Sequence, residues 1–152
     1  MKTKWISLFL LMFGFLSACQ TVTPSPIAAT MDTEFILAPG QSAVVADTGL
    51  TITFRTVPGD DRCPSEVECA ASGPVDVSLS VQQGDAAPTD LALQTFTDHK
   101  GIAPSVPFEG LTNPVDVGEY RIRLVGVTPY PESPEMEIKT SEYRITLLVS
   151  KP

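Results

Sequence analysis

The apolar residues of this chain recur at every second position, and that period constrains the fold more than any other feature. Leu50, Ile52 and Phe54 alternate with Thr51, Thr53 and Arg55. Val75, Val77, Leu79 and Val81 alternate with Asp76, Ser78, Ser80 and Gln82, and Tyr143, Ile145, Leu147 and Val149 with Arg144, Thr146, Leu148 and Ser150. Ile122 and Leu124 do the same beside Arg121 and Arg123. Successive side chains of an extended strand point to opposite faces, so each run offers one face to a core and the other to water. An amphipathic helix needs apolar positions three and four apart, and no ten-residue stretch of residues 32–152 keeps that spacing. Weaker strands are expected at 35–38, 43–46 and 91–96.

Turn-forming residues punctuate these runs: Pro39-Gly40, Asp47-Thr48-Gly49, Pro58-Gly59-Asp60, Gly84-Asp85 and a Pro-rich stretch at 128–134. Seven or eight short strands with turns at this spacing predict an all-β domain. The expected architecture is an antiparallel β-sandwich, Ig-like in the broad sense, with a small β-barrel as the alternative. The tryptophan and widely spaced cysteine pair of true immunoglobulin domains are absent from residues 32–152, because the single Trp is Trp5 and the three cysteines are Cys19, Cys63 and Cys69.

The first 18 residues read as a sorting signal rather than as fold. Lys2 and Lys4 precede an apolar run at 5–16, too short for the roughly 20 residues that span a bilayer. The run ends Leu16-Ser17-Ala18-Cys19, which resembles the bacterial lipobox. That resemblance implies a diacylglycerol thioether on Cys19, cleavage before it and acylation of the new amine, and more than one acyl chain gives a stable anchor. Gln20 follows the cysteine; Asp there resembles an inner-membrane retention signal, so Gln20 favours the outer membrane of a two-membrane envelope. Loss of Lys2 and Lys4 takes the 10 basic residues to 8 against 18 acidic ones, a mature charge of -10. Anionic headgroups repel such a domain, so lipid must hold it. Residues 19–31 are expected to be the lipidated Cys and a Pro/Thr/Ser-rich tether. The 12 residues after the cysteine reach about 40 Å when extended, and a single β domain is expected over 32–152.

Residues 59–73 read GDDRCPSEVECAASG. With Cys19 lipidated, Cys63 and Cys69 form an even pair in an exported domain, which predicts a disulfide. The surrounding stretch resembles small, mostly uncharacterised bacterial lipoproteins with the pattern F-x-x-V-x-x-D-x-R-C-P-x-x-V-x-C-x-x-x-G followed by an apolar strand. Phe54, Val57, Asp60, Arg62, Cys63, Pro64, Val67, Cys69 and Gly73 match it, and 75–81 supplies the strand. The resemblance implies a β-rich envelope domain without an assigned activity. Ala71 stands where relatives often carry an aromatic residue.

Asp60, Asp61, Glu66 and Glu68 place four carboxylates within nine residues. With Arg62 they form a possible binding loop for a basic partner or a divalent cation; the competing reading is a solvated acidic turn in which Arg62 pairs locally. The order lacks the EF-hand pattern, and a zinc site from Cys63, Cys69 and His99 lacks a fourth ligand. No catalytic residue, metal ligand or cofactor is assigned: there is one His, no G-x-S-x-G elbow and no phosphate-binding glycine loop. The acidic balance excludes nucleic acid as a partner. Tyr120, Tyr130 and Tyr143 read as core or strand-pair aromatics, and 132–137 as a solvated connection. The sequence thus points to a non-enzymatic, lipid-anchored envelope protein that binds or organises another envelope component. The alternative is a redox or metal-handling protein acting through Cys63 and Cys69.

Overall fold

A computed structural model describes residues 24–152. The chain forms nine strands: β1 (Ile27–Ala29), β2 (Phe35–Leu37), β3 (Ser42–Val45), β4 (Leu50–Asp60), β5 (Val75–Gln83), β6 (Thr89–Thr95), β7 (Val115–Val117), β8 (Tyr120–Thr128) and β9 (Arg144–Ser150). One 3₁₀ turn, Thr140–Glu142, precedes β9. The strands make two sheets, β1-β3-β4-β5-β6 and β2-β9-β8-β7, antiparallel except where β1 runs parallel to β3. The sheets stay separate and do not close into the barrel held as the alternative.

The alternation read from the sequence becomes the core. Ile52, Phe54, Val77 and Leu79 of the first sheet and Ile122, Leu124, Ile145 and Leu147 of the second are all inaccessible to solvent. Their partners Thr53, Ser78, Arg123 and Thr146 stand half-buried on the outer faces. Register follows the same rule, pairing core residue with core residue: Phe54 with Leu79, Leu79 with Leu91, Leu124 with Leu147. A slip by one residue would expose every one of them.

Two strands escaped the sequence reading. β1 lies inside the stretch expected to be tether: Ile27, Ala28 and Ala29 pair with Ala43, Val44 and Val45, and Ala29 is buried. Three small or apolar residues beside an existing edge suffice, whatever the composition around them. The sandwich therefore takes in Ile27–Ala29, the later part of the 19–31 segment that the sequence assigns to a tether. Cys19 lies outside the described residues. β7 has only three residues, and the ladder of β8 beyond it is completed by a side chain. Asn113, buried, donates from Nδ2 to the Leu124 carbonyl at 3.0 Å and accepts from the Leu124 N–H at 2.9 Å. This amide stands in for a strand beside the irregular register between Leu124 and Gly126.

Candidate functional site

β4, β5, β6, β8 and β9 all bring the same end of the sandwich together. The β4–β5 connection holds the cysteine loop; the β8–β9 connection holds the Pro-rich stretch. The two are joined by one buried residue. Arg62, two positions beyond the end of its strand pair with Val75, turns inward, and its side chain has no accessible surface. Its Nε donates to Asp60 Oδ1 at 2.7 Å and its Nη2 to Asp60 Oδ2 at 2.6 Å, a two-pronged ion pair. Nη1 donates to the Val127 carbonyl and Nη2 to the Pro129 carbonyl, each at 2.9 Å. Four of the five guanidinium donors are therefore used within the protein.

Two tyrosines complete the cluster. Tyr143, just before β9, donates its hydroxyl to Asp60 Oδ2 at 2.9 Å. Burial, then the negative charge of Asp60, then that hydrogen bond hold its phenol well above its ordinary pKa. Tyr130 lies over the guanidinium, its ring centre 5.0 Å from Arg62 Cζ, and donates its hydroxyl to the Cys63 carbonyl at 2.7 Å. The edge of His99, an exposed residue, meets the Tyr130 ring at 5.2 Å between centres.

Outside this cluster the loop is laced to its neighbours by main chain. Ser65 and Glu66 donate to the Pro131 and Glu132 carbonyls at 3.1 and 2.9 Å. At the base, the Asp61 N–H donates to Pro74 and the Gly73 N–H donates to Asp61. A Cβ on Gly73 would lie 2.6 Å from the Asp61 carbonyl oxygen, so the closing position requires glycine. Cys63 and Cys69 are joined, with 6.0 Å between Cα atoms. The bridge is peripheral: Cys63 is half-buried and Cys69 exposed.

The five loop residues named from sequence thus divide. Asp60 and Arg62 face inward. Arg62 does pair locally, with Asp60, and does serve backbone groups, but the expectation that it does so in a solvated turn is corrected, because Arg62 is among the most buried polar residues. Its guanidinium donates to the carbonyls of Val127 and Pro129 where β8 ends, which together with the Asp60 pair offsets its desolvation. Asp61, Glu66 and Glu68 stay exposed around Val67, itself 39% accessible. Among the described residues no three His, Cys, Asp or Glu side chains converge as a metal set. Tyr143 does belong to the core, as its alternation predicts; what the sequence does not reveal is its hydroxyl's bond to Asp60 or Tyr130's place over Arg62. The D-x-R spacing held the missing signal, since residues two apart on an extended strand share a face. No family model matches this chain, and neither does any curated protein or solved structure.

Proposed function

We propose that the chain is a lipid-anchored cell-envelope lipoprotein, held through Cys19. Its β domain presents a fixed loop to a protein partner and catalyses no reaction. On this reading it belongs with the small bacterial lipoproteins that share its D-x-R-C-P-x-x-V-x-C-x-x-x-G spacing, and it resides in the outer membrane where the envelope has two membranes, otherwise on the outer face of the cell membrane. The observation that carries the proposal is the division of the loop. The groups with chemical potential, Asp60 and Arg62, are engaged inside. The groups left outside are Asp61, Glu66, Glu68 and Val67, on a segment fixed at both ends by hydrogen bonds and by the Cys63–Cys69 bridge. Rigid loops on a β scaffold are recognition elements, and an apolar residue flanked by two carboxylates, Glu66 and Glu68, suits a basic surface with an apolar centre.

Two measurements test the two halves. Metabolic labelling with a fatty acid should mark the wild type and leave Cys19→Ala unlabelled and released from membranes; an unlabelled wild type defeats the anchoring. Crosslinking in intact cells should capture an envelope protein with the full chain and lose it with Glu66→Lys combined with Glu68→Lys. Equal capture by that variant defeats the loop. A second reading, redox work through the bridge, is favoured by the exposure of Cys69, because an incoming thiolate can reach its sulfur. Ready reduction by millimolar glutathione under native conditions would support it.

A further inference from the structure

The two outer faces of the sandwich differ in chemistry. The five-stranded sheet turns out mostly polar residues, among them Thr53, Asp76, Ser78, Ser80, Asp90 and Gln94, two of them carboxylates; Val44, 49% accessible, Ala28, Ala92 and Arg55 are also exposed on its strands. The four-stranded sheet turns out Ile36, Leu148, Arg121, Arg123 and Arg144. Register places two isoleucines on one row across it: Ile36 pairs with Thr146, Thr146 with Gly126, and Gly126 bridges to Ile102. Ile36 and Ile102 are 58% and 51% accessible. Beside them the 104–108 segment, tied to the face by Arg123 Nη1 to the Ser105 carbonyl, leaves Val106 and Phe108 73% and 52% accessible.

Positive charge gathers on the same face. The mature domain is strongly acidic, yet three of its arginines lie here. Arg121 pairs with Asp116 at 2.7 Å. Among the described residues neither Arg123 nor Arg144 forms an ion pair.

The point of entry of the chain selects the occupant. Ser25 is fastened to the β2–β3 turn, its carbonyl accepting from Gln41 Nε2 at 3.2 Å. That turn follows directly on β2, the edge strand that carries Ile36. Cys19 lies five residues before Pro24, so it reaches at most about 18 Å from the sandwich. A domain held this closely must meet the membrane with some surface. The end that carries the cysteine loop offers Asp61, Glu66, Glu68, Glu132, Glu135 and Glu137, which an anionic bilayer repels. The four-stranded face offers arginine and isoleucine, the composition that suits an interface between headgroups and hydrocarbon.

We propose that this domain lies on its four-stranded sheet against an anionic lipid surface, with Ile36, Ile102 and Phe108 at the headgroup boundary and Arg123 and Arg144 on lipid phosphates. This leaves the acidic cysteine loop at the rim, free to meet a partner. The inference rests on the anchoring through Cys19.

The test uses the full lipidated chain in vesicles containing phosphatidylglycerol. A polarity-sensitive fluorophore is placed by Ile102→Cys or Ile36→Cys, and by Ser78→Cys as the control on the opposite face. The first two labels should be shifted to the blue and shielded from an aqueous quencher, and the third should not. Arg123→Gln with Arg144→Gln should lower the ratio of lying to upright domains by about five-fold per arginine. Vesicles that float with the protein while the Ile102 label stays as quenchable as the Ser78 label overturn the docking and leave the anchor intact. Protein that fails to float and carries no lipid mass on Cys19 overturns the anchor, and the docking with it. Shielding without vesicles that grows with protein concentration overturns the docking in favour of a second copy on this face. Shielding that needs vesicle-bound acidic protein rather than lipid overturns it in favour of that protein.

Discussion

Removal of the Asp60 carboxylate should destabilise this domain more than any other single change at its loop-bearing end. Asp60→Ala strands a guanidinium whose side chain has no accessible surface, leaving two carbonyls and the Tyr130 ring, but no anion, to hold it. An uncompensated buried charge costs about 3–5 kcal/mol. Asp60 itself is 12% accessible, so some water reaches the vacated site and the lower part of that range is expected. Arg62→Met keeps the apolar stem and leaves a carboxylate at the edge of solvent that still accepts from Tyr143, so it should cost less, about 2–3 kcal/mol. The double variant Asp60→Leu with Arg62→Met removes both charges. Its cost should fall below the sum of the singles by at least about 2 kcal/mol, because each single strands the other partner. Urea unfolding at equilibrium, compared at constant slope, measures all three. Singles that each cost under about 1 kcal/mol and add without coupling would refute the claim that this pair closes the sandwich.

The Tyr143 phenol is held above its ordinary value, so the unfolded chain loses its proton first as pH rises. Stability should be complete below about pH 10 and fall above it, and Tyr143→Phe should flatten that alkaline decline in a pH series of thermal melts. Leu79→Asp, at a position without accessible surface, should unfold the domain, whereas Ser78→Asp on the same strand should melt within a few degrees of wild type; equal melting would defeat the register. Cys63→Ser with Cys69→Ser should cost about 2 kcal/mol and leave the fold intact, because Arg62 and the Asp61–Gly73 contacts hold the loop base without the bridge. Circular dichroism and denaturant titration check this, and mass spectrometry of the untreated protein should find no free thiol at either cysteine.

Most of the core was legible because its only requirement was alternation. Leu79 and Leu147 sit in runs of four apolar residues at period two, long enough to specify strand, face and partner class. β1 and β7 were illegible for the opposite reason. Three residues cannot display a period, and their pairing comes from an edge that only the assembled sheet provides. Asn113 carries the same lesson in a side chain: an isolated Asn-Pro reads as a turn, and its role as a strand substitute depends on the Leu124 backbone lying opposite. Gly101 is similar. It has φ +78°, and a Cβ there would collide with the Val127 carbonyl oxygen, a close approach that no local pattern announces.

The loop shows how far spacing alone can mislead about chemistry. Four carboxylates and an arginine within nine residues look like a charged surface, and three of the carboxylates are one. Asp60 and Arg62 differ because β4 runs seven residues past its last pairing with β3, carrying them over the open end of the core. There the carbonyls of Val127 and Pro129 lack strand partners, and a planar fork with five donors can serve them and a carboxylate together. Methionine of similar volume would fill the space and supply no donor to those carbonyls; lysine would bring a point charge without the planar fork. The same fork fixes Asp60, and Asp60 fixes Tyr143 at the head of β9, so one residue sets the relative position of three chain segments from both sheets. The cysteine loop is built on that base. Its bridge shapes the tip, and the base would persist without it, so a partner or a reductant acting at Cys69 meets a loop whose foundations it cannot reach.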